Sequence, residues 1–445
     1  MRSRTRRSAR TSKKDHPAIG RTIALTIDEV GRNGDGIGRF EGAPVFVPLT
    51  LPGDALTVRL SSRRGQGFAA DVVEERTLMP RSQPVCRHFG ACGGCRLQHV
   101  PLLDYRQWKQ QQIETVLAVR GIQDAVILPL IDGDLAARRR LRTAFRLEGQ
   151  GLALGFRRRL GRAVVTIEDC PIADPAIIQL FTPLRRSLAS LDMAVKGGEL
   201  SITVAENGLD LLIETPVPPG LADREILAGL AETEDLARLA WRGDMWASTE
   251  PIAVRRQPVV DFGGIPAAFP IGAFLQATRK AENAIRHAAA KAIGGAATIA
   301  DLFAGCGALS LPFAKEGRRV RAVERDPAMV QALAVAASAA GLASKVDAII
   351  RDLDGEPLSG DELGQFEGLI IDPPRAGARA QVEAIAAVSG PKRIAMVSCN
   401  PATFARDART LVDAGYRLAW VQPIDAFLYA AEIELVGAFE STIAS

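Results

Sequence analysis

The segment TIADLFAGCGA, residues 298–308, joins an apolar run to a turn made of small residues. The apolar run predicts a buried strand. Gly305 and Gly307 allow the backbone after it to approach a ligand at the start of the next helix. The third glycine of a dinucleotide-binding fingerprint is absent, and Glu324 ends the next apolar run, where a carboxylate suits hydrogen bonding to a ribose diol. The segment therefore predicts a site for a ligand that contains a ribose.

Apolar runs alternate with alanine-rich stretches from about residue 270 onward. Such alternation indicates an α/β fold with a doubly wound parallel sheet. The last two runs are joined by a short loop, which suits an antiparallel pair. Seven strands are predicted, at residues 298–303, 320–324, 348–350, 368–371, 394–397, 418–423 and 432–439. This order resembles the class I methyltransferase fold, which implies S-adenosylmethionine as the cofactor.

The methyltransferase resemblance assigns roles to residues of this cofactor pocket. Phe303 and the glycine turn would line the pocket, and Glu324 would bind the ribose. Asp352, after the third strand, would lie near the adenine. The alternative is that Asp352 caps a turn, since Asp354 and Gly355 follow it.

Residues 20–81 contain short β-like runs separated by glycine-rich turns, which is typical of a small β-barrel. The turn Gly34-Asp35-Gly36-Ile37-Gly38 and the segment Val45-Phe46-Val47-Pro48 resemble the TRAM domain, an OB-like barrel of RNA-modifying enzymes. The resemblance implies that this domain binds RNA. The predicted strands cover residues 23–30, 43–48, 55–60 and 67–74.

The pattern predicts two further domains: a central α+β domain at residues 82–268 and the cofactor-binding catalytic domain at residues 269–445. We expect a helix at 105–119 and strands at 141–147 and 202–213.

Basic residues are unevenly distributed, although the net charge is only +4. The runs at 138–142 and 157–159 are candidates for an RNA path, the alternative being exposed charge on an ordinary sheet. Residues 1–19 form a basic tail that is predicted to be unfolded. Such a tail either follows phosphates or is only solvated.

The six cysteines are expected to be reduced thiols. No stretch of about 18 apolar residues occurs, and the N-terminus lacks the apolar segment of a signal peptide, so we expect a cytoplasmic protein with no membrane contact.

Three cysteines are spaced Cys86-x5-Cys92-x2-Cys95, and Cys170 follows after 74 further residues. Four thiolates complete a tetrahedral site, but ligand count does not choose between zinc and an iron–sulfur cluster.

Two segments place reactive groups at predicted strand ends. Asp372-Pro373-Pro374-Arg375-Ala376-Gly377 follows the fourth strand, and Ser398-Cys399-Asn400-Pro401 follows the fifth. Open α/β sheets bind ligands at the carboxyl ends of their strands, so Asp372 and Cys399 are expected to face one cleft. A thiol there indicates nucleophilic catalysis. The alternative for Cys399 taken alone is a small buried hydrophobe.

These two segments, with the continuation Ala402-Thr403-Phe404-Ala405-Arg406-Asp407, resemble the RNA uridine-5-methyltransferase family, and the resemblance extends over almost the whole chain. It implies that the thiolate of Cys399 adds to C6 of a uridine, which makes C5 nucleophilic enough to take the cofactor's methyl group. A base must then remove the C5 proton so that the thiol can leave.

The same resemblance assigns further residues. Asp372 would contact the cofactor or the uracil, and Gln276 would contribute to the cofactor pocket. Thr278 stands where the family usually has asparagine, so a contact at this position is open.

Glu434 matches the family's general base on the final strand. Glu432 stands where the family has histidine, and Leu428 replaces a proline. Both glutamates belong to the predicted strand 432–439, so their side chains are expected to point to the same face, and the pattern alone does not exclude Glu432 as the base.

The family also predicts the partners. It favours [4Fe–4S] over zinc at Cys86, Cys92, Cys95 and Cys170. The target uridine must leave its stack, which favours looped or single-stranded RNA. We expect 23S ribosomal RNA first and transfer RNA next, and a monomeric protein. The competing classes are a methyltransferase acting on an amine, which needs no Cys399, and a non-catalytic iron–sulfur RNA-binding module.

Overall fold

The computed structural model describes residues 16–149, 151–159, 161–243, 247–388 and 390–442. Residues 1–15, which carry most of the predicted basic tail, lie outside these ranges. The chain forms two compact units: the first combines residues up to 85 with 95–108 and 429–431, and the second contains the rest. Within the described ranges, no helix has the length and apolar character needed to cross a membrane.

The first unit contains a six-stranded sheet whose order is β1-β5-β6-β4-β3-β2. Its strands are β1 (Thr22–Thr26), β2 (Glu29–Val30), β3 (Asp35–Phe40), β4 (Ala43–Pro48), β5 (Ala55–Arg64) and β6 (Gly67–Thr77). Alternate residues of β4 and β5 are buried, as the period of two in a strand requires. They are Val45, Val47, Leu56, Val58 and Leu60.

The prediction that residues 34–38 form a turn is wrong, because most of this glycine-rich segment belongs to strand β3. The turn lies earlier, where the backbone N–H of Gly34 donates to the carbonyl of Gly31 at 2.8 Å, and the following residues form β3. Gly36 serves close packing instead: a Cβ at this position would lie 2.1 Å from Oγ1 of Thr50.

The second unit begins with a central seven-stranded sheet of order β10-β9-β8-β11-β12-β13-β14. Helices α2 and α3 pack on it. The elements of this region are α1 (Leu102–Val119, in the second unit from residue 109), β7 (Val126–Ile127), β8 (Arg140–Glu148), β9 (Gly151–Arg157), β10 (Val164–Thr166), α2 (Pro175–Ala189), a 3-10 helix (Asp192–Lys196), β11 (Gly198–Ala205), β12 (Gly208–Glu214), α3 (Leu221–Thr233), β13 (Arg238–Arg242) and β14 (Glu250–Val254).

The single strand predicted at 202–213 is wrong, because the chain reverses there. Ala205 pairs with Gly208, so β11 and β12 form an antiparallel hairpin. The two residues between this closing pair are Glu206 and Asn207, and Gly208, the first residue of β12, adopts a φ of 133°.

The rest of the second unit contains a small two-stranded sheet and an eight-stranded sheet of order β19-β18-β17-β20-β21-β23-β22-β7. The elements are β15 (Val259–Asp261), β16 (Pro266–Ala268), α4 (Arg279–Ile293), β17 (Thr298–Leu302), α5 (Ser310–Lys315), β18 (Arg319–Glu324), α6 (Pro327–Ala339), β19 (Val346–Ile350), α7 (Gly360–Leu363), β20 (Gly368–Ile371), α8 (Arg379–Ala386), β21 (Arg393–Ser398), α9 (Pro401–Asp413), β22 (Tyr416–Ile424) and β23 (Glu434–Ser441).

The predicted doubly wound α/β fold is confirmed by this sheet. Strands β17 to β21 are parallel, and β23 runs antiparallel between β21 and β22. Both faces are buried: in β20, Leu369 and Ile371 join one hydrophobic cluster with helices α1, α8 and α9, whereas Ile370 joins another with helix α4. Burial on both faces explains why these strands read as continuous apolar runs.

The edges of the sheet differ from the prediction in two ways. An eighth strand, β7, pairs in parallel with β22. The last strand begins at Glu434 rather than at residue 432. Glu432 therefore lies in the preceding loop, and the expectation that Glu432 and Glu434 share one face of a strand is wrong.

Candidate active site

The turn after β17 has backbone conformations that side chains rarely adopt. Phe303 has a φ of 65°, Gly305 of 56° and Gly307 of 94°. For a bulky residue such a conformation costs of order 1–3 kcal/mol, and strain of this kind concentrates at ligand sites. The N–H of Gly305 donates to Oε2 of Glu324 at 3.0 Å. The predicted cofactor turn and ribose-binding carboxylate are therefore joined at one edge of the sheet.

Asp301, at the start of the quoted motif, is a buried acid that the sequence analysis did not single out. The hydroxyl of Ser310 donates to its Oδ2 at 2.5 Å, and Oδ1 is buried without a hydrogen-bond partner among the described residues. Burial raises the pKa of Asp301 to about 7, and the nearby charges of Asp372 and Glu324 act in the same direction. The sequence signal that could have identified Asp301 is an acidic residue inside an otherwise apolar strand.

Asp352 lies on the surface after β19. Its Oδ1 accepts a hydrogen bond from the backbone N–H of Asp354 at 3.2 Å, which is the geometry of the turn cap considered as the alternative. A contact of Asp352 with adenine stays a prediction.

Asp372 follows β20 and is hydrogen-bonded to Gln276, whose Nε2 donates to Oδ2 at 3.4 Å. The carbonyl of Gln276 accepts a hydrogen bond from Nε of the buried Arg139 at 3.0 Å. Burial raises the pKa of Asp372 to about 7, while the bond from Gln276 opposes the shift. The structure thus brings Gln276 and Asp372 together, and their roles in binding the cofactor stay predictions.

Thr278 has a structural role in this region. Its Oγ1 accepts a hydrogen bond from the N–H of Ala281 at 3.1 Å and caps helix α4. An N-cap hydroxyl stabilises a helix by about 1 kcal/mol, which accounts for a threonine at this position.

Cys399 is half-buried at the end of β21. Burial raises the pKa of its thiol to about 11. The carboxylates of Glu434 and Asp372 raise it too, whereas the guanidinium of Arg375 lowers it. These electrostatic effects require that the three charged groups lie near the sulfur. The predicted nucleophile and both predicted acids therefore share one cluster with Arg375.

Glu434 and Glu432 have different environments. Glu434 is buried at the start of β23, and burial together with Asp372 holds the pKa of its carboxyl well above the usual range, with Arg375 opposing. Its Oε2 has no hydrogen-bond partner among the described residues. The side chain of Glu432 is 40% exposed and lies 3.7 Å from Arg375. Of these two glutamates, Glu434 is the one that is buried and whose charge raises the pKa of Cys399.

Comparisons with known proteins agree with these motifs. The TRAM domain family matches residues 18–69, and the tRNA (Uracil-5-)-methyltransferase family matches residues 269–440. An RNA methyltransferase of Mesorhizobium japonicum is 39% identical, covering 93% of this chain and 96% of that protein. The 23S rRNA (uracil(1939)-C(5))-methyltransferase of Aeromonas salmonicida is 31% identical, covering 94% and 96%. The chain belongs to the RNA (uracil-5-)-methyltransferase family.

The fold of this RNA methyltransferase matches a solved structure as well. The tRNA (uracil-54, C5)-methyltransferase of Pyrococcus abyssi, determined with S-adenosyl-L-homocysteine, superposes with a TM-score of 0.72, covering 94% of this chain and 100% of that one. At 20% identity this likeness shows the shared fold.

Phe274 of the methyltransferase was not predicted as a site residue. It is 62% exposed, two residues before Gln276, and the guanidinium of Arg140 lies 5.5 Å from its ring centroid. Arg138 lies 5.5 Å from the ring of Phe427 in the same way. Phe427 is half-buried, so Phe274 is the more accessible of the two rings, and unstacked RNA bases can rest on accessible aromatic rings and on arginine side chains. The basic run at 138–142 was the only sequence signal for them.

Three of the four clustered cysteines lie in the second unit of the methyltransferase. Burial raises the pKa of Cys86 and of Cys92, and the neighbouring thiol of Cys170 raises both further. Cys95 belongs to the first unit. Among the described residues, no three histidine, cysteine or acidic side chains converge closely enough to hold a metal. The chemistry of the donor set fits a thiolate-bound group.

Proposed function

We propose that this enzyme transfers a methyl group from S-adenosylmethionine to C5 of a uridine in 23S ribosomal RNA. The cluster of Cys399, Glu434 and Asp372 at the carboxyl edge of the sheet is the observation that carries the proposal. The similarity to the Aeromonas enzyme over 96% of its length supports the choice of ribosomal RNA. Transfer RNA is the second candidate, since the matching solved structure is a tRNA methyltransferase.

The cofactor pocket is assigned to residues around the glycine turn. When bound, S-adenosylmethionine supplies an electrophilic methyl group. We assign its binding to Gln276, Phe303, Gly305, Gly307, Glu324, Asp352 and Asp372. Glu324 suits the ribose because its carboxylate is anchored at the turn by Gly305. Asp372 is aligned by Gln276.

Cys399 acts as the nucleophile in this proposal. Its sulfur forms a bond to C6 of the uracil, and the C5=C6 electron pair moves towards the O4 carbonyl as an enolate, which makes C5 nucleophilic. A thiol with a pKa of about 11 must lose its proton as the attack proceeds, and in this proposal that proton passes to solvent water. Arg375 assists because its positive charge lowers the pKa of the thiol.

Glu434 acts as the general base after methyl transfer. Its carboxylate takes the C5 proton, the C5–H electrons reform the C5=C6 double bond, and the C6–S bond breaks so that sulfur leaves with its electron pair. A carboxylate whose pKa is raised by burial is a stronger base than an exposed one. Replacing Glu434 by glutamine is expected to slow this elimination roughly 10²-fold or more.

RNA containing 5-fluorouridine tests the chemistry directly. Fluorine replaces the proton that Glu434 must remove, so wild-type protein incubated with cofactor and fluorinated 23S rRNA fragments should form a denaturation-resistant protein–RNA adduct. The C399A variant should form none. An S338A variant is the control, because Ser338 is exposed on helix α6 outside the assigned site and should leave the adduct unchanged. Methylation by C399A at the wild-type rate would refute the covalent route and favour an amine methyltransferase.

The RNA target is tested by mapping 5-methyluridine in 23S rRNA and transfer RNA from cells with and without the gene. Loss of one modified site in 23S rRNA is expected. Loss confined to transfer RNA would assign the enzyme to the second candidate.

We further propose that Cys86, Cys92, Cys95 and Cys170 bind a [4Fe–4S] cluster, with zinc as the alternative. The closeness of the Cys170 thiol to Cys86 and Cys92, whose pKa values it raises, supports this assignment, because a bound metal takes neighbouring thiols as its ligands. No step of the methyl transfer above uses this group. Analysis of iron, sulfide and zinc in anaerobically purified protein distinguishes the two.

A further inference from the structure

A fully buried lysine in helix α1 contacts both ends of the loop that leads to Glu434. The side chain of Lys109 is 0% exposed and pairs with Oδ1 of Asp425 at 3.1 Å, where Asp425 is itself 1% exposed. Nζ of Lys109 also donates to the backbone carbonyl of Glu432. Asp425 directly follows β22 and Glu432 lies two residues before Glu434, which begins β23.

A buried ion pair of this kind is costly to maintain. Burial lowers the pKa of Lys109, and Asp425 opposes the shift. Because desolvation offsets much of the attraction, a well-packed apolar pair would often be as stable, so a buried pair is weak evidence for a stability role. The contact to the Glu432 carbonyl indicates a geometric one. Three donors on one ammonium allow Lys109 to bind a side chain and a backbone group at once.

We propose that Lys109 is a positioning residue for proton abstraction: by holding Asp425 and the carbonyl of Glu432 together, it fixes where the chain enters β23 and so aims the carboxylate of Glu434 at the C5 proton. The inference rests on the function proposed above. A misplacement of about 1 Å in a catalytic group can lower a rate roughly 10²-fold. Lys109 is not among the groups that shift the pKa of Cys399 or of Glu434, so we expect it to act on the elimination step through the placement of the chain alone.

Two variants separate positioning from stability. K109M leaves the carboxylate of Asp425 buried without its cation, and breaking such a pair is strongly destabilising. The double variant K109M/D425N also removes that buried negative charge, so much of the lost stability should return. Because the double variant still lacks the Nζ group that donates to the carbonyl of Glu432, elimination should stay slow.

The experiment follows the adduct in single-turnover reactions with unmodified RNA and with 5-fluorouridine RNA. For K109M/D425N we expect the fluorinated adduct to form at nearly the wild-type rate, while with unmodified RNA the covalent intermediate accumulates and product is released roughly 10- to 100-fold more slowly. K345M is the matched control, because Lys345 donates to the carbonyl of Gly317 at the surface and should release product normally.

The outcomes are distinguishable. Release by K109M/D425N at the wild-type rate, or equal loss of adduct formation and release, would overturn the positioning role. If the wild-type protein forms no adduct with fluorinated RNA, the proposed function itself fails. K109R keeps a cation at this position. If K109R releases product faster than K109M, the buried cation is what the positioning requires. If K109R is as stable as wild type but releases product as slowly as K109M, the geometry of the lysine side chain is also required.

Discussion

At the scale of single residues, the site is defined by groups whose ionisation is disfavoured together. Cys399, Glu434 and Asp372 each have a raised pKa, chiefly through burial; the charge of Asp372 also raises the pKa of Cys399 and of Glu434, and the charge of Glu434 raises that of Cys399. Arg375 is the cation that opposes the effect at both Cys399 and Glu434. Such coupled shifts in a cluster are typical of catalytic sites.

The reactivity of Cys399 should follow this electrostatic pattern. Alkylation needs the thiolate, so in RNA-free protein the rate at Cys399 should rise steeply with pH towards about 11. At pH 9, E434Q should be alkylated faster than wild type because a charge that raises the thiol pKa is gone, and R375A should be slower. A change of one pKa unit alters the thiolate fraction about tenfold. Peptide-resolved mass spectrometry measures this, and slower alkylation of E434Q would contradict the prediction.

Asp301 should make stability depend on pH. Its folded pKa of about 7 lies above the ordinary value of 3.8 for an aspartate, so the folded state binds the proton more tightly. Its stabilising contribution is therefore fully present below pH 3.8 and is lost as pH rises through about 7. D301N keeps an acceptor for Ser310 but cannot ionise. Compared by urea unfolding at pH 5 and 8, wild type should lose a few kcal/mol more than D301N, and equal losses would exclude this effect.

At the scale of elements, the glycine turn between β17 and α5 depends on space as well as on backbone freedom. A Cβ on Gly307 would lie 2.9 Å from Cγ of Leu333 and 3.0 Å from Cγ of Leu311, at a φ of 94°. G307A should therefore destabilise the protein by about 1–3 kcal/mol. Gly341 has a φ of 71° with open space around it, so G341A should cost less in denaturant unfolding. Equal costs would show that backbone strain alone matters.

The catalytic elements were largely predictable because their signals are local. A strand buried on both faces reads as an apolar run, and the turn with Gly305, the carboxylate of Glu324 and the cysteine at 399 each follow such a run directly. The hairpin at Glu206-Asn207 was missed because the apolar residues on both sides masked a two-residue turn.

The supporting residues were not predictable for a different reason. Arg139 is 137 residues from Gln276, and Lys109 is 316 residues from Asp425. No period or spacing in the sequence links positions so distant. Glu432 and Glu434 could be separated only when the start of β23 was known.

At the scale of the whole molecule, the four cysteines that we propose as cluster ligands come from segments far apart in the chain. We expect C170S to lose iron and sulfide and to unfold at a lower temperature, since a bound group stabilises the state that holds it. Adduct formation on fluorinated RNA should change less than stability does, because the proposed chemistry uses no ligand of the cluster. Iron analysis, thermal unfolding and adduct yield in the same preparation test this. A C170S protein with wild-type iron content would exclude Cys170 as a ligand.

The short strand β7 protects one side of the catalytic sheet. Residues 126–131 run alongside β22. The N–H of Leu128 donates to the backbone carbonyl of Val421 at 2.9 Å, and the N–H of Ile131 donates to that of Pro423 at 3.1 Å. Without this cover, β22 would present a row of unpaired backbone groups of the kind that drives edge-to-edge aggregation. Proteolytic nicking near residue 126 would therefore be expected to yield oligomers and precipitate, even though every catalytic motif remained intact. Solubility in this enzyme thus depends on a piece of chain with no part in its chemistry.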